Sequence, residues 1–503
     1  MNINKQKNLS KLAIKNIFYN TSSNFIAKFS GFILSILLAR ILLPELFGVY
    51  TLVLSIVILA FSLSDLGITE TSIKYISEAF GKNQKTKAFL YFSYFFKITL
   101  FLVLVITVFL LLFSQTIADH LFKKPEIFYP LLFAMIFTAI NSILGIFRGL
   151  FYAMNDLKQI PLIYIILYSS KIILSLIVLM IFSGIAAISA VFIAFSISSL
   201  LTLTFMIILI KRKNFKFFVK KKLKFDNKNI LNYLGYMTMA NISILIFGSV
   251  DVLMLGRFVE SAYIGYYQVA FGLIASLTAI ISFSFVLLPI FVQVHSERLK
   301  KGFLKVLRYL SIISIPAIIG LLFISQDVIS LIYGLEYSQA AIVLNVLAPL
   351  LFIRPIMDLY SSLFKAKNKI KFIAITLIAA LILNIVLNYI LITNLLEFGQ
   401  KFAILGVAFA TTISRIFYLL IIIVKTKSQF KINLPKILII KPLVATIIMA
   451  IVLFIYNSYI DINILTGILE ILTGIFVYFT TMFLIKGINK EDLDLVKSFL
   501  RSK

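Results

Sequence analysis

Cysteine is absent from this chain of 503 residues, so no disulfide, thiolate nucleophile or cysteine-held metal can belong to its chemistry. Tryptophan is absent too, and histidine occurs only at His120 and His295, both outside the apolar runs. With no histidine pair at ligand spacing and no nucleophile–base constellation, the sequence offers neither a metal centre nor an enzyme active site. No Gly-x-x-x-x-Gly-Lys-[Ser/Thr] loop occurs, so ATP does not drive this chain directly. Acidic residues are scarce: 20 Asp and Glu stand against 48 Lys and Arg, a formal net charge of +28. The basic residues are dispersed among many short segments rather than gathered on one face, which argues against nucleic acid as a partner.

What fills the chain instead is apolar. Hydrophobic residues make up 61% of it and the mean hydropathy is +1.05, whereas a soluble domain is roughly 45–50% apolar. The runs predict an all-α integral membrane protein of about 14 spans of some 20 residues each. These start near Phe18, Phe47, Ala88, Ile127, Ile160, Ile185, Tyr233, Ile264, Tyr309, Ala340, Ile370, Phe402, Leu443 and Ile464. Every second gap is loaded with lysine and the alternate gaps carry almost none, the positive-inside pattern of a multi-pass protein with both termini cytoplasmic. The longest basic cluster, Lys211 to Lys228, reads as a topology anchor on anionic headgroups. The first span is too long for a signal sequence and lacks an adjacent small-residue cleavage site, so it reads as retained.

The chain also repeats itself. Leu150-Phe151-Tyr152-Ala153-Met154-Asn155-Asp156-Leu157-Lys158 matches Leu363-Phe364-Lys365-Ala366-Lys367-Asn368-Lys369-Ile370-Lys371, 213 residues on. Arg40, Gly48 and Tyr50 recur as Arg257, Gly265 and Tyr267 at an offset of 217, and Val191, Ala194, Ile197 and Ser198 recur as Val407, Ala410, Ile413 and Ser414 at 216. Three markers in order predict two six-helix repeats, and because six is even the copies are parallel in the membrane. The expected organisation is a first bundle over 1–210, a basic cytoplasmic linker over 211–232, a second bundle over 233–425, and two extra helices with a tail over 426–503. Duplicated bundles without a soluble domain point to a secondary transporter working by alternating access.

The segments that frame this repeat resemble a known family. Leu38-Ala39-Arg40-Ile41-Leu42-Leu43-Pro44-Glu45-Leu46-Phe47-Gly48-Val49-Tyr50, followed by Ser64-Asp65-Leu66-Gly67-Ile68, looks like the opening of the polysaccharide-exporter family. Asp251 to Arg257, Gly265-Tyr266-Tyr267, Tyr333 to Tyr337 and Asn384 to Asn388 fit its second half, so the resemblance runs from about Asn16 to Lys425. This family holds the O-antigen and teichuronic acid flippases, within the superfamily of the multidrug extruders and the peptidoglycan-precursor flippase. The resemblance implies a plasma-membrane flippase for a polyprenyl-diphosphate-linked oligosaccharide, with membrane lipids and a glycan polymerase or glycosyltransferases as expected partners.

Such a cargo needs basic groups within the bilayer. Lys28, Lys171, Arg354 and Arg415 fall near the middle of their spans, where a cation costs about 2.5–3.5 kcal/mol, and are the candidates for holding the diphosphate and sugar hydroxyls. Each could instead be a structural residue satisfied by a carbonyl or neighbour. In the repeat, Lys171 corresponds to Asn384 and Arg354 to Asn141. Arg40 and Arg257 lie at equivalent outer ends, as substrate contacts or as interfacial anchors. By resemblance to the peptidoglycan-precursor flippase, Asp251, Asn384, Asn388 and Thr411 would be the ligands for a coupling Na+ or H+, although a single carboxylate is a weak claim on a hard cation; helix-to-helix hydrogen bonding is the competing role. Pro289, Pro316, Pro349 and Pro355 are expected to kink their spans. The rival function is an efflux transporter of the multidrug type, for which intramembrane carboxylates rather than cations would be expected; a membrane-embedded glycan polymerase would want a larger external loop.

Overall fold

The computed structural model describes residues 3–213, 215, 227–282, 296–367, 369–432, 435, 437–460, 464–488 and 492. Among the described residues there is no strand, and the regular structure is helical. In chain order the helices are α1 (Ile3–Asp65), α2 (Ile68–Gly81), α3 (Lys85–Thr116), α4 (Phe128–Ala153), α5 (Ile160–Ile181), α6 (Gly184–Lys211), α7 (Asn227–Phe258) and α8 (Ser261–Ile281). They continue as α9 (Ser296–Tyr333), α10 (Ala340–Leu347), α11 (Leu350–Ala366), α12 (Ile370–Leu396), α13 (Gln400–Phe430), α14 (Ile437–Tyr459) and α15 (Ile464–Leu484). A lipid solvent dictates this outcome, because a helix satisfies its backbone N–H and C=O groups within one segment.

Among the described residues, eleven helical segments are long and apolar enough to cross a membrane, or twelve if the bent pair α10 and α11 is one span. The sequence-based count of fourteen divides the same chain more finely. It reads the first of these segments, Phe18–Gly81, as two spans, and it adds α7, part of whose side chains lie outside the described residues. The division within α1 is physical: Leu43 has φ 61° and ψ 171°, and Pro44 follows it inside the helix. Proline has no N–H to donate and its ring clashes with the carbonyl four residues back, here that of Arg40. Likewise α10 and α11 meet at 41°, with Pro349 between them as the N-cap of α11. Pro316 and Pro355 sit inside α9 and α11, and Pro289 lies outside the described residues.

The chain forms two compact units: Met1–Gln268 with Leu381–Val407, and Val269–Ala380 with Ala408–Lys503. In the first, α2 to α6 bury an aromatic core that includes Phe92, Phe95, Phe147 and Phe151. The start of the basic linker belongs to it: Phe215 is buried, its ring 4.4 Å from that of Phe89 and 5.4 Å from that of Phe92, while the Lys213 ammonium pairs with the Asp156 carboxylate. Most of the remaining linker lies outside the described residues. In the second unit α14 and α15 pack with α9 around Ile312, Ala445, Met449, Leu453, Tyr478 and Met482.

The duplicated Leu-Phe motif ends a helix in both copies. Asp156 N donates to Phe151 O at 3.0 Å, and the equivalent Lys369 N donates to Phe364 O at 2.9 Å. Asn155 takes φ 57°, a left-handed position that asparagine tolerates better than most residues, and its Oδ1 accepts from Asn16 Nδ2 at 2.7 Å. The second copy's Asn368 lies outside the described residues. This motif is therefore helix-terminating, with Leu150, Phe151, Leu363 and Phe364 buried beneath it.

The other repeat marker makes a contact with its own copy. A Cβ placed on Gly48 would stand 1.7 Å from the carbonyl oxygen of Ser261, and one on Gly265 would stand 2.3 Å from the carbonyl oxygen of Pro44. Pro44 and Ser261 are themselves equivalent at the offset of 217. The turn after the α1 break and the first turn of α8 thus touch backbone to backbone in a reciprocal pair, which only glycine permits. Gly48→Val or Gly265→Val is expected to lower stability by about 1–3 kcal/mol through overpacking, read as a lower thermal unfolding midpoint of the purified protein. Gly272→Ala, where an added Cβ meets nothing within 4 Å, should leave the midpoint unchanged or raise it slightly.

Candidate functional site

Three helices of the first unit bring one carboxylate and its donors together. Asp251 of α7 accepts from Tyr267 Oη of α8 at 2.6 Å and from Asn388 Nδ2 of α12 at 2.8 Å. Asn384 and Asn388, four residues apart, lie on one face of α12, and Asn388 Nδ2 is also 3.3 Å from Asn384 Oδ1. All four side chains are buried, Asn388 completely. An isolated carboxylate buried in such surroundings would be costly; hydrogen bonds to a charged group are each worth about 1.5–3 kcal/mol and make the site tenable. Asn388 Oδ1 is buried and accepts no hydrogen bond. That orphan oxygen beside a carboxylate fits a cation or a protonated donor, so the residues present are compatible with ion binding. Thr411, the fourth residue expected in this group, is buried in α13 within the second unit.

Sequence reasoning found Asp251, Asn384 and Asn388 but not Tyr267 as their partner. Tyr267 was visible only as a repeat marker, and its equivalent, Tyr50, does something different. The Tyr50 ring lies 5.6 Å from that of Phe192 in a stacked arrangement and 5.8 Å from that of Phe47. One copy of the position packs, and the other donates to a carboxylate.

The six candidate cations do not share one environment. Lys171 of α5 is 9% exposed, and its ammonium lies 4.6 Å from the Phe137 ring centroid, 4.7 Å from Phe195 and 5.8 Å from Tyr168. A desolvated cation–π contact is worth about 2 kcal/mol, so two close rings offset most of the cost of a lysine at mid-span. Arg354 of α11 follows the Pro349 break by about one turn, with its guanidinium 5.3 Å from the Phe271 ring. Arg415 is buried in α13. Lys28 and Arg40 are exposed on α1. Arg257 donates through Nη1 to the His120 carbonyl at 2.7 Å, an anchoring contact at the end of α7.

Neighbouring contacts hold that same end of the first unit together. Gln400 and Glu260 exchange two hydrogen bonds of 2.7 and 2.9 Å. Lys124, in the turn before α4, is held below the ordinary lysine range by burial, with Glu126 and Glu260 acting in the opposite sense. Toward the other end of the unit runs a line that the sequence reading missed. Tyr152 Oη donates to Asn20 Oδ1 at 3.0 Å, and Arg148 Nη1 donates to Tyr164 Oη at 3.2 Å. Tyr164 in turn stacks near Tyr168, which borders Lys171. The spacing Tyr164, Tyr168, Lys171 was the available signal, since those residues share a helix face.

Residues 13–295 match a family described as polysaccharide biosynthesis protein. A probable low-salt glycan biosynthesis flippase of Haloferax volcanii is 27% identical over 202 residues, which cover 39% of this chain and 41% of that protein. A teichuronic acid biosynthesis protein of Bacillus subtilis is 29% identical over 125 residues, 24% of this chain and 26% of the relative. The matches therefore span less than half the length of these two relatives. Over the whole fold, the chain superposes on a lipid II flippase in an inward closed conformation with a TM-score of 0.75 at 19% identity, covering 93% of this chain and 98% of that one.

The Asp251 network yields a direct expectation. Tyr267→Phe should cost about 1.5–3 kcal/mol of stability by removing a hydrogen bond to a charged group, seen as a lower unfolding midpoint. In the Asp251→Asn background the same change should cost measurably less, because the charge it answers is gone; additive losses would rule out the coupling.

Proposed function

The chain belongs to the family of polysaccharide biosynthesis proteins, and we propose that it is a flippase carrying a polyprenyl-diphosphate-linked oligosaccharide from the cytoplasmic to the outer leaflet. The observation that carries this reading is the sign of the charge inside the apolar helices. Lys171 and Arg415 are buried and Arg354 is half-buried, a placement that suits a doubly anionic diphosphate and runs against a cationic drug. Translocation makes and breaks no covalent bond, so the protein acts as a transporter rather than as an enzyme. The glycan and diphosphate require a polar path, while the lipid tail stays in hydrocarbon.

Transport in this reading proceeds by alternating access, through rocking of two parallel six-helix halves, 1–210 and 233–425, with the final helices as an appendage. Lys28, Lys171, Arg354 and Arg415 attract the diphosphate and sugar hydroxyls, and Arg40 and Arg257 act at the outer end. The Asp251, Asn384, Asn388 and Thr411 group is the proposed place for Na+ or H+ coupling; a bound cation there would supply positive charge to Asp251 and a partner to the Asn388 amide oxygen. The protein resides in the plasma membrane with both termini in the cytoplasm, where glycosyltransferases supply the cargo, and a glycan polymerase acts on the product outside.

Two measurements test this. Depleting the protein in its own cells is expected to pile up lipid-linked oligosaccharide on the cytoplasmic face and reduce surface glycan. Arg354→Ala and Lys28→Ala should fail to rescue despite normal membrane levels; unchanged lipid-linked sugars would overturn the glycan role. For topology, the cysteine-free chain is a ready background. A single cysteine at Asn83 should react with an impermeant maleimide only from the cytoplasmic side, and one at Lys124 only from outside.

A further inference from the structure

At one membrane surface, where α9, α14 and α15 meet, the second unit contains a cavity of about 190 Å3, away from every residue assigned above. Three basic residues, Arg308, Lys441 and Lys486, line it, and Ile312, Pro442 and Met482 give it an apolar floor. The helix ends fix its depth. Since α14 begins at Ile437 and α15 ends at Leu484, Lys441 lies one turn inside the first and Lys486 two residues beyond the second. That is the level at which hydrocarbon gives way to headgroups.

Hydrogen bonds hold Arg308 and Lys441 in place. Arg308 Nη2 donates to the Gly487 carbonyl at 2.8 Å and to Asp492 Oδ2 at 2.5 Å, and Tyr309 Oη donates to Asp492 Oδ1 at 2.8 Å. Lys441 Nζ donates to the Lys486 carbonyl at 2.8 Å, which leaves two of its three protons for another acceptor. Asp492 answers Arg308, but among the described residues no carboxylate lies within ion-pair distance of Lys441 or Lys486.

Two lysines lining a cavity with an apolar floor at headgroup depth call for an amphiphilic anion. A soluble anion would leave the floor uncovered, and a zwitterionic headgroup would bring its own cation against the lysines. We infer that this cavity binds the phosphate of an anionic membrane phospholipid, with Lys441 and Lys486 on the phosphate and the chains against Ile312, Pro442 and Met482.

Native mass spectrometry of the full chain tests this, with phosphatidylglycerol and phosphatidylcholine as probes. The wild type should retain the anionic lipid preferentially, Lys441→Gln and Lys486→Gln should each reduce that preference about fivefold, and the double variant should abolish it. Glutamine keeps most of the side-chain length, and wild-type selectivity still decides the matter if the double variant does not fold. Equal retention of the two lipids, or an undiminished preference in a folded double variant, overturns the assignment. So does displacement of phosphatidylglycerol by excess inorganic phosphate, which would mean that the floor contributes nothing. Displacement from these lysines by an equimolar polyprenyl phosphate would instead give the site to a transported lipid and end the phospholipid assignment.

Discussion

A bilayer interior has no water with which to solvate a polar group, and the rest of this structure follows from that shortage. Backbone groups are satisfied within helices, and charged side chains that enter the apolar region need partners of their own. The partners differ in kind. Aromatic rings face Lys171 and Arg354, while a hydroxyl and an amide face Asp251. Ring faces lower the energy of a cation without neutralising it, so the positive field survives. Direct hydrogen bonds to a carboxylate fix its geometry.

Positions that correspond in the sequence repeat share some roles and differ in others. Gly48 and Gly265 have kept one function, that of letting two backbones meet. Tyr50 and Tyr267 have parted, one to stacking and the other to Asp251. Lys171 and its counterpart Asn384 have parted as well: one is a charge boxed by rings, and the other belongs to an amide ladder. Positions related by the sequence repeat thus differ in their surroundings according to which side chain fills them.

Much of this was legible in the sequence because membrane helices announce themselves by length and apolarity, and a repeat announces itself by spacing. Asn384 and Asn388 could be placed on one face from their four-residue separation alone. Tyr267 could not be given to Asp251, because that pairing depends on how α7 and α8 are rotated about their axes. Nor could the rings around Lys171 be chosen from among the 49 phenylalanines, since Phe137 and Phe195 come from other helices. Phe215 was hidden by its setting: one of four phenylalanines in a basic stretch, it reads as linker until its contacts with Phe89 and Phe92 are seen.

That ring changes how the basic stretch is anchored. Phe215 and Ile230, at either end of the basic stretch, are both buried in the same core of the first unit. A chain fixed at both ends to one body is a closed loop, and its length does not set how far anything attached beyond it can travel. Lengthening such a loop costs little entropy, about 0.6 kcal/mol for each doubling. A change in the length of the stretch between Phe215 and Ile230 should therefore cost little while both anchors keep their place in the core.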